Sequence, residues 1–344
     1  MHPKISIFVV YYNSEKEGDL LLEHLKALKN LDYPDYEVIL VDNASKDNTY
    51  KILSGFINGD NRFKLIRSEK NTYFNGGNNL AFRYSSNESK YFITVNPDAV
   101  PNSDMARNLV ELMERDPNVG AAQGIIRTDK NRIDTGRFIA DNGAVIRLHL
   151  VKDPYKESYV TYVTGAMMII RADFPRKRGF IFREVPLLYF DSNVLGLELY
   201  ANGYTVKYYP IETGYHKGRA NTPIDLSDKF IITSMFLFLM KSNSKFKKFL
   251  PLFYYSNYIK EYVRKTLNKP LASPKKIKEA YVTAKKLANT LNMTIDIYTA
   301  PHIEVPYRYY MLDLFSAKVR QKIISDLEMY RQHVIIPQES IMHK

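Results

Sequence analysis

The sequence predicts an α/β fold: a mainly parallel sheet with helices on both faces, followed by a C-terminal helical extension. Three observations predict it. Strand and helix signals alternate over the first two hundred residues, the pattern of a parallel sheet crossed by helices. Polar clusters rich in Asn, Asp and Gly stand just after the apolar runs, where such sheets bind ligands. Beyond Pro223 the pattern turns helical, punctuated by Pro251, Pro270, Pro274, Pro301 and Pro306.

Residues 5–11 read as a buried strand, and Leu21, Leu22, Leu25 and Leu28 recur at helical spacing within 19–29. A second β run spans 36–41 and a second helix 47–56. A short strand covers 63–66, a third helix runs from 77 to 84, and a strand at 91–95 ends in Asn96-Pro97-Asp98. Residues 104–115 are helical, and 119–123 return to strand. From 129 to 157 the pattern weakens, as expected of loops and short strands over a binding face. Residues 159–163 lead into a strand at 165–171. A short helix at 195–201 stops at Asn202-Gly203, and a strand follows at 204–209. No internal repeat is visible. The expected division is an α/β domain over 1–222 and a basic, aromatic-rich helical extension over 223–344.

Composition excludes several classes. The chain has 344 residues, 45% hydrophobic and 25% charged, enough to bury a core and unlike a disordered chain. With no cysteine it has no disulfide scaffold, thiolate metal site or cysteine nucleophile. The first residues run straight into a strand with no signal-peptide pattern, so a cytoplasmic chain is expected. The longest apolar run, 235–240 after Ile231 and Ile232, is far short of the ~20 residues a bilayer span needs.

The charge is unevenly placed. The whole chain carries a formal +12, and residues 226–344 alone hold 20 Lys+Arg against 9 Asp+Glu, a net +11. There the basic residues alternate with large apolar ones, from Phe236 to Lys241 and from Lys245 to Leu250, before Tyr254, Tyr255, Tyr258 and Tyr262. Such stretches fit an anionic membrane surface, which would make the chain peripheral on the inner face of the membrane. A helical subdomain with a solvated basic face fits equally well; within either reading the Tyr-rich segment could pack on the first domain or form a homo-oligomer. Nucleic acid ranks third, since no binding motif accompanies the charge.

Three strand ends carry the chemistry: Tyr12-Asn13-Ser14, Asp42-Asn43-Ala44-Ser45 and Asn96-Pro97-Asp98. Between them lies the loop from Asn71 to Asn79, in which Gly76-Gly77 would let the backbone approach a ligand. A helix opening there would favour an anion such as a phosphate. Two carboxylates at strand ends suit a nucleotide: one for the base or ribose, one for a divalent cation on a diphosphate.

These residues, with Gly165-Ala166 through Arg171, Ala201-Asn202-Gly203-Tyr204 and Tyr209-Pro210 followed by His216, resemble family 2 glycosyltransferases of the GT-A fold (nucleotide-diphospho-sugar transferase, Rossmann-like) and their rhamnosyltransferase-like branch. The resemblance covers roughly residues 4–222. It implies an inverting transfer of a sugar from a UDP-, dTDP- or GDP-linked donor to a lipid-linked or polysaccharide acceptor hydroxyl. Asp42 would contact the base or ribose, Tyr12 and Asn13 would flank the nucleotide, and Asn71, Gly77, Asn78 and Asn96 would line the diphosphate and sugar. Asp98 and His216 would ligate Mg²⁺ or Mn²⁺, imidazole suiting Mn²⁺ better. The sequence departs from the family twice. Asn96 replaces the first acid of the metal motif. The acidic pair before the short helix falls on Asp191-Ser192, leaving Asp191 as candidate base and Glu198 behind it. Those departures motivate a second reading, a catalytically impaired relative that binds nucleotide or glycan as a partner subunit. A nucleotidyltransferase is disfavoured, because Tyr11-Tyr12-Asn13-Ser14 lacks a Gly-rich basic loop.

Overall fold

The computed structural model describes residues 2–128, 132–187, 189–218, 224–252, 254–255, 274–307 and 319–337. The chain divides into two compact units: Met1–Gly136, Pro154–Pro186 and Asp191–Thr222 form the first, and Arg137–Asp153, Leu187–Phe190 and Pro223–Lys344 the second. In chain order the elements begin with β1 (Ile5–Tyr11), α1 (Asp19–Lys29), β2 (Tyr36–Asp42), α2 (Thr49–Ile57), β3 (Phe63–Arg67), α3 (Tyr73–Tyr84), β4 (Tyr91–Val95) and β5 (Ala99–Pro101). They continue with α4 (Met105–Arg115), β6 (Val119–Thr128), β7 (Arg132–Asp134), β8 (Arg137–Ala140), β9 (Val145–Arg147), β10 (Ser158–Tyr159), β11 (Met167–Arg171), α5 (Asp173–Arg178) and α6 (Ser192–Ala201). The last are β12 (Thr205–His216), α7 (Ile224–Lys241), α8 (Pro274–Thr290), β13 (His302–Ile303), α9 (Val319–Gln332) and β14 (Val334–Ile335).

The first unit is built on one mixed, mainly parallel sheet. Eight strands lie in the order β10-β12-β6-β11-β4-β1-β2-β3, with β5 paired to β12 and β7 to β6. β4, β1, β2 and β3 are parallel neighbours. β11 runs antiparallel between β4 and β6, and β12 is parallel to β6. β2 is buried along its whole length, and its residues 38–41 read as an unbroken apolar run. On one face Leu21, Leu25 and Leu28 of α1 and Met105, Leu109 and Met113 of α4 pack on Ile5, Ile7 and Val9. Each such buried side chain contributes roughly 1.5–3 kcal/mol. On the other face Phe82 of α3 meets Phe92 edge-on at 5.5 Å, and Phe92 stacks on Phe8 at 5.2 Å. Arg171 at the end of β11 is buried, and its guanidinium donates to the carbonyls of Met113, Asp116 and Val119, locking the turn from α4 into β6.

Several boundaries differ from those expected, and three differences bear on the site. α3 starts at Tyr73 rather than 77, so the glycine pair lies inside the helix. β5 is a strand too short to show a period. β12 continues past Pro210 to His216, with register shifts between Tyr208 and Glu212 and between Glu212 and Gly214. Those irregularities admit a proline into a strand. Gly214 sits at a φ of 149°, and a Cβ there would lie 2.3 Å from the Val100 carbonyl oxygen. Only glycine lets β12 close on β5 at this point.

In the second unit β14, β13, β8 and β9 form a small sheet in that order. α7 packs on α8 through Phe236 and Tyr281, whose rings meet edge-on at 5.3 Å, and through a Lys229–Glu279 ion pair at 2.9 Å. Asp141 is fully buried, accepts from the Val305 amide at 2.9 Å and pairs with the Lys245 ammonium at 2.9 Å. Burial nevertheless pushes its carboxyl above the usual range. Tyr258 and Tyr262 of the basic, tyrosine-rich stretch lie outside the described residues. No helix among the described residues is long and apolar enough to cross a membrane.

Candidate functional site

Because β1, β2, β3 and β4 are parallel neighbours, their C-terminal ends share one edge of the sheet. Tyr11 and Asp42 are cross-strand partners there, and the Asn43 amide donates to the Tyr11 carbonyl at 2.8 Å. Half-buried Tyr12 follows β1. Asn13 adopts a φ of 50°, a left-handed conformation that Asn tolerates better than most residues. Its amide donates to Ser45 Oγ at 2.9 Å and its Oδ1 accepts from the Lys46 amide at 2.8 Å, so the loops after β1 and β2 are stitched together.

Asp42 is fully buried. Its Oδ1 accepts from the Ser45 amide at 3.3 Å, and its Oδ2 lies 3.2 Å from Arg67 Nε without a well-formed hydrogen bond. A buried carboxylate oxygen in that state is an acceptor awaiting a donor. Arg67 lies over the Tyr50 ring at 4.9 Å and donates to the Ser45 carbonyl. Ala44, Ser45, Arg67, Ser68 and Glu69 line a cleft of about 330 Å³ beside it. Arg67, Ser68 and Glu69 were not among the expected site residues. The signal was available, since Arg67 ends β3 and Ser68 and Glu69 follow it.

Asn71 and Gly77 are held by the protein's own packing. Asn71 Oδ1 accepts from Asn43 Nδ2 at 3.0 Å and from the Tyr73 amide at 2.8 Å. Asn43 Oδ1 in turn accepts from the amide and hydroxyl of Thr72. A Cβ on Gly77 would lie 2.5 Å from Val10 Cγ1, so this glycine serves the close packing of α3 on β1. Asn78 donates to the Phe74 carbonyl at 2.8 Å, while its buried Oδ1 has no hydrogen-bond partner. Asn75 and Asn79, one helical turn apart, do what sequence did not foresee. Asn79 Oδ1 accepts from the amides of Ile181 and Phe182, its Nδ2 donates to the Phe182 carbonyl, and Asn75 Nδ2 donates to the Arg183 carbonyl. Together they staple the segment after α5 onto α3.

The pairing of β5 with β12 sets His216 opposite Ala99 and so beside Asp98. His216 Nε2 lies 3.2 Å from Asp98 Oδ1 and 3.3 Å from Asn96 Nδ2, and the Lys217 amide donates to the Asp98 carbonyl at 3.0 Å. Asp98 is buried and His216 half-buried. Among the described residues no three His, Asp or Glu side chains gather as a metal-ligating group. One carboxylate and one imidazole are a donor pair that suits Mn²⁺ once ligand oxygens complete the shell.

Asp191 caps α6, its Oδ1 accepting from the Ser192 amide at 2.5 Å and from the Ser192 hydroxyl at 2.9 Å. Both oxygens of Glu198 are engaged by arginine, Arg178 at 2.5 Å and Arg183 at 2.6 Å. Glu198 thereby ties α6 to the end of α5 and to the segment after it, and is not a group open to an acceptor.

A sequence model described as Glycosyl transferase family 2 matches residues 6–177, half of the chain. The poly-β-1,6-N-acetyl-D-glucosamine synthase of Staphylococcus epidermidis is 28% identical over 120 residues, covering 35% of this chain and 28% of that protein. The chain spans between 28% and 56% of the length of the curated relatives it matches. Among solved structures, the mannosyltransferase PcManGT from Pyrobaculum calidifontis, in complex with GDP-Man and Mn²⁺, superposes with a TM-score of 0.54 at 16% identity, over 96% of this chain and 86% of that one. S. aureus TarS 1–349 in complex with UDP-GlcNAc gives 0.53 at 16% identity, over 95% and 89%. At such identity these likenesses speak for the fold, which is GT-A. With the matched half carrying β1 to β4 and the polar clusters at their ends, the chain belongs to glycosyl transferase family 2.

Proposed function

We propose that the protein is an inverting, metal-dependent glycosyltransferase that moves a sugar from a nucleoside-diphosphate donor to a hydroxyl of a lipid-linked or polysaccharide acceptor. The observation that carries this is the Asp98–His216 pair, 3.2 Å apart, following the same row of parallel strand ends that presents Asp42. Asp42 Oδ2, buried and short of a hydrogen bond, accepts an N–H of the base, and the cleft beside Arg67 receives the base ring. Asp98 and His216 are the residues that hold Mn²⁺ or Mg²⁺. Bound there, the cation supplies charge stabilisation for the departing diphosphate. Asp191 takes the proton of the acceptor hydroxyl as it attacks the anomeric carbon from the opposite side. Relatives bound to GDP-Man and UDP-GlcNAc support a nucleotide-sugar donor, and the motifs between Val9 and Asn79 support a rhamnosyltransferase-like branch. The test is release of nucleoside diphosphate from UDP-, dTDP- and GDP-linked sugars, dTDP-rhamnose included, in Mn²⁺ and in chelator. Turnover with at least one donor in Mn²⁺ and none in chelator is expected.

A second reading, a nucleotide- or glycan-binding partner subunit, draws support from the use of Asp191 Oδ1 as a helix cap. Nucleotide binding without turnover across the panel would favour it.

The second unit is proposed to lie against anionic lipid on the inner face of the membrane. Lys247 and Lys248 are exposed there beside exposed Leu252 and Tyr255, the pairing of cation and apolar side chain that headgroups attract. Co-sedimentation with phosphatidylglycerol vesicles should exceed that with phosphatidylcholine vesicles and fall as salt rises. Equal partitioning at low salt would sink the idea.

A further inference from the structure

His24 stands in the middle of α1, among Leu21, Leu25 and Leu28, with no exposed surface. An imidazole there is out of place unless both nitrogens are used, and both are. Nδ1 lies 2.5 Å from the Ala99 carbonyl oxygen, and Nε2 lies 2.7 Å from the Tyr11 hydroxyl. A carbonyl only accepts, so Nδ1 carries the proton; Nε2 is then the bare nitrogen and accepts from Tyr11. Burial holds His24 neutral, lowering its pKa to about 4, and the Ala99 carbonyl fixes the tautomer.

The two partners belong to the two halves of the site. Tyr11 is the last residue of β1 and the cross-strand neighbour of Asp42. Ala99 opens β5, follows Asp98 in the chain, and is the cross-strand neighbour of His216. The Ala99 amide also donates to the Asn96 carbonyl at 3.1 Å, closing the turn that carries Asp98. One imidazole therefore reaches from α1 to both the strand end that presents Asp42 and the hairpin that presents Asp98 and His216.

We infer that His24 is a positioning residue for the cation site, setting the Asp98–His216 pair by anchoring the Ala99 carbonyl. The inference rests on the metal reading above. Groups that orient metal ligands from behind typically change metal affinity about 10- to 100-fold when lost. Here the lever is the backbone: releasing the Ala99 carbonyl loosens both β5 and the turn on which Asp98 stands.

Two substitutions separate the arms of the imidazole. The amide of Asn reaches as far as Nδ1, so His24→Asn keeps the bond to Ala99 and gives up Tyr11. The amide of Gln reaches as far as Nε2, so His24→Gln keeps Tyr11 and gives up Ala99. Calorimetric affinity for UDP and for GDP, each in Mn²⁺ and in EDTA, gives the enhancement that the cation adds. His24→Gln should lower that enhancement about tenfold with the affinity in EDTA unchanged. His24→Asn and Tyr11→Phe should keep it. Equal enhancement in the Gln and Asn variants, or a loss confined to Asn, overturns the inference, because a merely structural histidine would not distinguish the arms. If His24→Gln does not fold, a tenfold loss in Tyr11→Phe overturns it alone, and a retained enhancement in Tyr11→Phe and His24→Asn supports it. Asp98→Asn serves as the reference: were it to keep the enhancement, the metal reading itself would be wrong, and the role of His24 would fall with it.

Discussion

Asp98→Asn should remove metal-dependent turnover of the nucleotide sugar, by at least about a hundredfold in kcat, while leaving the fold intact. The asparagine has the same shape, and the Asp98 backbone carbonyl still accepts from Lys217. What changes is charge. Asp98 supplies the carboxylate of the pair with His216, and Asn96, where the resemblance implies another acid, is a neutral amide. A neutral amide at 98 would leave His216 as the sole strong ligand. The measurement is release of nucleoside diphosphate over a range of Mn²⁺, with thermal unfolding as the control for folding. Turnover within about threefold of wild type at saturating Mn²⁺ would show that no catalytic cation depends on Asp98.

Asp191→Asn is expected to lower kcat for transfer by about 10²–10⁴, the range a positioned general base supplies, with little change in KM for the donor. This substitution is informative because Asp191 does two things. As the cap of α6 it accepts from the Ser192 amide, and Asn caps helices about as well as Asp. Only basicity is removed. Single-turnover transfer to the acceptor that the donor panel identifies reads the chemical step directly. A kcat equal to wild type, with an unchanged unfolding midpoint, would reduce Asp191 to a cap and return weight to the partner-subunit reading.

The strand ends were legible because a parallel sheet places its ligand-facing residues just after each apolar run. Asp42, Asn13 and Asp98 follow from that rule alone. Arg67 obeys the same rule, yet the short, half-exposed β3 was expected to end one residue before it. The full reach of β12 was not legible. Pro210 looks like a terminator, and only long-range pairing with β5 and β6 shows the strand passing through its bulges to His216. The place of Gly76-Gly77 inside α3 was not legible either. Two glycines resemble a loop, whereas the space they leave is filled by Thr72 and Val10. The work of Asn75 and Asn79 was equally hidden, since their partners lie more than a hundred positions away. Nothing in composition marks residues 137–153 as belonging with the second unit, because β8 pairs with β13 across nearly half of the chain.

The place of β12 in the sheet bears on where this protein can be cut. The family match stops at residue 177, but β12 begins at Thr205 and lies between the two-residue β10 and β6. A chain shortened to the matched span would expose β6 as an open rim, ready to recruit strands from other molecules. It would also strip Asp98 of its imidazole neighbour. The smallest piece worth transplanting into another scaffold therefore extends through His216, some forty residues past the point where kinship fades.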